Sequence, residues 1–180
     1  MSDVVGKLTS AEALKIIERL CRKSGEFREA IAAEAMSLLT EINPKETAEE
    51  VFEALDSIDV EDCWDLAGGS SEGYAPPDDV AVDLVEEELQ PFFDQVERYH
   101  ELDMPEQEAA YCMAVILGVY RFAYESKSEF TQWAEDIPAH CARTLLGEWR
   151  ERNPEQTRID AMQAFIRERC PKWAELLKGE

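Results

Sequence analysis

Apolar residues recur along this chain three or four positions apart, the interval of a helix face, and almost nowhere at the two-residue alternation of a strand. Leu14, Ile17, Leu20 and Cys21 make a first stripe, and Phe27, Ile31, Ala35, Leu38 and Ile42 a second. Val51, Phe52 and Leu55 begin a third, and a short helix is expected around residues 59–66. The most regular pattern runs over residues 79–102, where Val82, Val85, Leu89, Phe92, Val96 and Tyr99 are spaced 3-4-3-4-3. Asp83, Glu86, Glu87, Glu88, Asp94 and Glu97 fill its other faces. Pro91 lies inside this pattern and predicts a kink, because its ring removes one backbone hydrogen bond. Residues 109–120 are apolar on every side, which predicts a central, enclosed helix with Leu117 in the core. Later stripes pass through Leu145, Leu146 and Trp149, then Ile159, Met162 and Ile166.

The punctuation between stripes is that of helices. Thr9 and Glu12 have the spacing of a capping box, and Ser126 and Glu129 repeat it ahead of Phe130 and Trp133. Asn43-Pro44 and Asn153-Pro154 each read as an N-cap followed by proline in the first turn, where a missing amide is harmless. Asp103 to Glu106 reads as the opening of the next helix. Residues 67–77, AGGSSEGYAPP, are the one long turn-rich stretch. Together these predict an all-α chain of eight or nine helices, arranged as antiparallel hairpins in an α-solenoid-like or irregular bundle. The chain reads as a single domain over 1–180, with 67–77 as the only candidate subdivision.

Charge changes the picture more than composition does. The chain has 180 residues and a net charge of −22, yet 45% of it is apolar, so the acidity does not imply disorder. Residues 46–103 hold 20 acids against one base, Arg98, whereas residues 1–45 hold seven of each and 138–180 hold seven acids and eight bases. Such a field repels nucleic acid and anionic lipid and attracts basic partners. Uniform salt adaptation would acidify the ends as well. Plain solubility and a dedicated partner both remain open readings of the stretch.

Five cysteines, spread widely and without a C-x-x-C pair, do not make a disulfide framework or a zinc knuckle. Free thiols fit a reducing cytoplasm. The start of the chain, MSDVVGKLTS, lacks a basic-then-apolar leader, and the longest apolar run is shorter than the ~18–20 residues that span a bilayer. A cytoplasmic protein with no membrane contact is expected.

The hairpin of residues 79–124 resembles those of tetratricopeptide and HEAT-type helical repeats, and helical tails of uncharacterised prokaryotic proteins that carry SWIM-type zinc fingers. The resemblance covers about a quarter of the chain and implies a helical scaffold whose function is usually binding. This chain lacks the zinc-ligand pattern of that finger and the ordered small and aromatic positions of a tetratricopeptide repeat. No functional residue is carried over.

Little else in the sequence speaks for catalysis. Glu97 and His100 form one E-x-x-H, half of what a di-iron bundle needs, and the only other histidine, His140, has no glutamate three residues earlier. Asp59, Glu61, Asp62 and Asp65 cluster, but the position that would carry an EF-hand's turn glycine is Trp64. His140 and Cys141 are neighbours in sequence, and neighbours on a helix point about 100° apart, away from dyad geometry. Trp64 reads as a core residue, while Tyr74 reads equally as a loop pin or a binding anchor. The expected function is therefore a non-enzymatic interaction module that presents an acidic face, 46–104, to a basic protein, with no cofactor and no direct nucleic-acid binding. Glu86, Glu87, Glu88, Asp94 and Tyr74 are its candidate interaction residues. The alternative is a metal-binding or hydrolytic protein using Glu97, His100 and nearby carboxylates.

Overall fold

Thr9 starts the first helix as its spacing predicts. Its hydroxyl accepts from the amide of Glu12, and the Glu12 carboxylate accepts from the amide of Thr9. This helix, α1 (Ser10–Lys23), ends at Ser24, whose hydroxyl in turn accepts from the amide of Glu26 and caps α2 (Gly25–Thr40). Arg28 of α2 donates to the carbonyl of Cys21, and the two helices pack as a hairpin. The computed structural model describes residues 4–66, 68–70 and 73–178, and divides the chain into two units, Met1–Glu41 and Ile42–Glu180. The boundary falls after α2. Residues 67–77 lie inside the second unit. Among the described residues of the first unit none is buried.

The second unit begins where Asn43-Pro44 predicts. The Asn43 side chain accepts from the amide of Glu46, and Pro44 takes the first position of α3 (Pro44–Asp56). α4 (Val60–Leu66) follows. The turn-rich stretch then forms a small antiparallel hairpin, β1 (Gly68–Ser70) against β2 (Gly73–Ala75), with Gly69 opposite Tyr74. Four long helices complete the unit: α5 (Pro77–Glu101), α6 (Pro105–Glu125), α7 (Ile137–Arg152) and α8 (Gln156–Arg169). The fold is all-α: the described residues form eight α-helices, and the two short strands add no layer. α5 runs on through Pro91 as one helix.

α6 is the centre, packed against α3, α5, α7 and α8. Cys112, Val115, Ile116, Val119 and Phe122 on it are buried. Its closest approach is to α3. A Cβ on Gly118 would stand 2.6 Å from Cβ of Val51 and 2.7 Å from the carbonyl oxygen of Ala48, so glycine alone fits there. The enclosure is incomplete on one side. Leu117 is half-buried and, with Ala110 and Met113, floors a groove of about 730 Å³ between α3 and α8.

Three other sequence expectations change. Ser126 and Glu129 do not form a capping box. Ser128 caps instead, accepting from the amide of Phe130, and the turn it starts is a 3-10 turn (Glu129–Gln132). Asn153 does not open a helix. It closes α7, buried, with its side chain donating back to the carbonyl of Trp149 at 3.0 Å, and α8 starts three residues later. Asp103 belongs to the end of α5 rather than the start of α6. It is left-handed (φ 54°), its amide donates to His100, and the amide of Met104 donates to Tyr99. That paired geometry is a Schellman end, which folds the last turn of α5 onto the first turn of α6.

Candidate interaction surface

The seam of α5 decides where its carboxylates go. Val85, Leu89 and Val96 are fully buried, so the seam faces the core and Glu86, Glu87, Glu88, Asp94 and Glu97 are all exposed. Asp94 is steadied by the side-chain amide of Gln90, which donates to it at 2.6 Å. Glu86 borders α7 and shares the rim of a groove with His140 and Arg143. Glu46, Glu50 and Glu53 are exposed on α3, and Glu61 and Asp62 on α4.

Almost nothing neutralises these charges. Among the described residues, Glu49 is the one acid of 46–103 that has an ion-pair partner, Arg121, at 2.7 Å. The one base of the stretch, Arg98, donates to Gln95 at 3.4 Å and not to a carboxylate. Exposed ion pairs contribute little to stability. Their scarcity here matters for the field instead, which is left nearly uncompensated over α3, α4 and α5.

Next to this surface lies an acidic pocket of about 710 Å³, lined by Asp79, Val82, Trp133, Glu135, Asp136 and neighbours. The Trp133 ring also meets Trp64, edge to face, with ring centroids 5.3 Å apart. Trp64 is 55% exposed, so it is not the core residue expected from sequence. It sits within the seven-residue α4 and sets its ring against that of Trp133. Glu135 and Asp136 escaped the sequence reading, and Trp133 entered it only as an apolar helix position, because all three sit outside the acidic stretch. Their signal was an acidic pair two residues after a tryptophan. The side chain of Tyr74 lies outside the described residues.

The Glu97 and His100 pair is taken apart by the fold. Glu97 points to solvent, while His100 turns its Nδ1 to 3.6 Å from Oε2 of Glu108, a carboxylate only 1% exposed. Arg152 closes the same cluster with Nε at 3.3 Å from Oε1 of Glu108. Among the described residues no group of three or more His, Cys, Asp or Glu is placed to hold one metal ion. Asp59 and Asp62 spend their carboxylates on the start of α4: Asp59 accepts from the amide of Glu61, and Asp62 from that of Asp59. His140 sits at 3.1 Å from Arg143 and is exposed, whereas Cys141 is buried, and burial pushes its thiol up to about 11. An activated thiol is shifted in the opposite direction.

Comparison of the chain with protein-family models, curated proteins and solved structures found no match. Among the described residues no helix is long and apolar enough to cross a membrane.

Proposed function

We propose that this chain is a non-enzymatic helical scaffold that works by binding, and that its acidic surface over residues 46–104 receives a basic protein in the cytoplasm. The observation that carries this reading is the missing compensation: of the described acids in the stretch, Glu49 alone is ion-paired. An uncompensated field raises the encounter rate with an oppositely charged partner and disfavours nucleic acid. The pocket beside α5 gives that partner a specific anchor. Asp79, Glu135 and Asp136 supply charge, and the indole of Trp133 suits an arginine or lysine head group by cation–π attraction.

Glu86, Glu87 and Glu88 test the reading because they are exposed and lie off the buried seam of α5. Replacing all three by glutamine should leave the helical content and thermal stability unchanged. Capture of a basic protein from a lysate at low and moderate salt should fall for the triple variant. Equal capture by parent and variant would return the surface to plain solubility.

A further inference from the structure

We infer that the first unit is a dimerisation element: the α1–α2 hairpin pairs with the same hairpin of a second copy to make a four-helix bundle. α1 is strongly amphipathic, α2 carries apolar side chains around more of its surface, and the hairpin has no core of its own. Leu14 (58% exposed), Phe27 (48%) and Leu38 (65%) stand open, along with Ile17 and Met36, and no described residue of the unit is buried. A unit of about 40 residues seldom stabilises itself without a staple or a partner subunit. Among the described residues all five cysteines are free thiols, so no disulfide supplies that staple.

Charge identifies the partner. α1 carries four bases (Lys15, Arg19, Arg22, Lys23) and two acids, whereas α2 carries three acids (Glu26, Glu29, Glu34) and one base. A two-fold axis sets each surface against its own copy, so α1 of one hairpin can lie beside α2 of the other with opposite charges facing. The hairpin is thus complementary to itself. It is also the part of the chain whose self-association charge does not oppose: residues 1–41 hold seven acids and six bases, and the rest carries almost the whole −22. Burying the apolar stripes of both hairpins against each other is the arrangement of an antiparallel bundle.

The test is the mass of the full chain in solution, measured by sedimentation equilibrium over a range of concentrations. The parent should approach twice the 20.5 kDa monomer mass. The double variant Leu14→Glu, Ile17→Glu should sediment as a monomer while far-ultraviolet circular dichroism retains the helices of the second unit. A gentler pair guards against simple misfolding. Arg22→Glu with Lys23→Glu leaves the apolar stripe untouched and should lose the homodimer. Glu29→Lys with Glu34→Lys should lose it as well, and mixing those two charge variants should restore a heterodimer. A monomeric parent, with the hairpin covered within its own chain or by an unrelated protein, would overturn the inference. A dimer that none of these substitutions weakens would overturn it too.

Discussion

Arg152, in the last turn of α7, holds its Nε 3.3 Å from Oε1 of Glu108, a fully buried carboxylate in the first turn of α6. The N–H is not aimed along that line, so the contact is an ion pair without a hydrogen bond. Each charge also sits at the helix end that favours it, a carboxylate at an N-terminus and a guanidinium at a C-terminus. The pair ties the α5–α6 end of the bundle to the end of α7. Removing one partner strands the other in the interior. Glu108→Ala should destabilise the second unit by about 3–5 kcal/mol, whereas the double variant Glu108→Leu, Arg152→Met should lose much less. Chemical denaturation of the two variants checks the difference, and equal losses would contradict it.

The left-handed Asp103 carries strain that glycine would not. An L-residue in that conformation is disfavoured by about 1–2 kcal/mol, and aspartate is among the better-tolerated types. Asp103→Gly should therefore raise the denaturation midpoint by the equivalent of a few tenths to about 1 kcal/mol. A loss of stability would show that the Asp103 side chain does more for the turn than its backbone costs.

Gly118 tests the α3–α6 contact. Alanine is the better helix former by about 1 kcal/mol, so an open site would be stabilised by the substitution. Here the new Cβ would meet Val51 and the Ala48 carbonyl well inside contact distance. Gly118→Ala should lose about 1–3 kcal/mol by overpacking. A stabilised variant would mean that α3 yields easily.

Alkaline pH should unfold the second unit through its buried acids. Burial pushes the thiols of Cys141 and Cys170 up to about 11 and about 12, and the Tyr111 phenol up to about 12. In each case the folded state holds its proton more tightly than the unfolded chain does. That stability is complete below the unfolded values near 9 and 10, and it is lost as pH climbs through the folded ones. Denaturation midpoints should be flat up to about pH 8.5 and then fall towards pH 11. Cys141→Ala with Cys170→Ala should flatten the decline.

The helices themselves were legible because their signals are local. Thr9, Asn43 and the 3-4-3-4-3 seam of α5 each specify a start or a face within a few residues. The misread positions depend on how whole helices end and pack, which no local signal states. Asn153 looks like an N-cap, but Trp149 and the packing of α7 claim its side chain. Leu117 lies in an all-apolar run, and which of its sides stays open is decided by where α3 and α8 settle. The acidic surface was readable from counting charges, since exposed carboxylates need no tertiary partner. The pocket around Trp133 was not, because it joins α5 to residues about fifty positions later. Glu97 and His100 share a helix, yet only the Schellman turn at Asp103 shows that His100 belongs with Glu108.

The most direct test of the central claim is calorimetric titration of the full chain with an arginine-rich peptide across a salt series. Exposed charges are screened over about 8 Å at physiological ionic strength, so affinity should fall steeply as salt rises. It should also fall for Glu86→Gln, Glu87→Gln, Glu88→Gln, and separately for Trp133→Ala, which keeps every charge. Affinity that is insensitive to all four substitutions, or no stronger than that of an unrelated protein of equal net charge, would contradict a dedicated acidic binding surface.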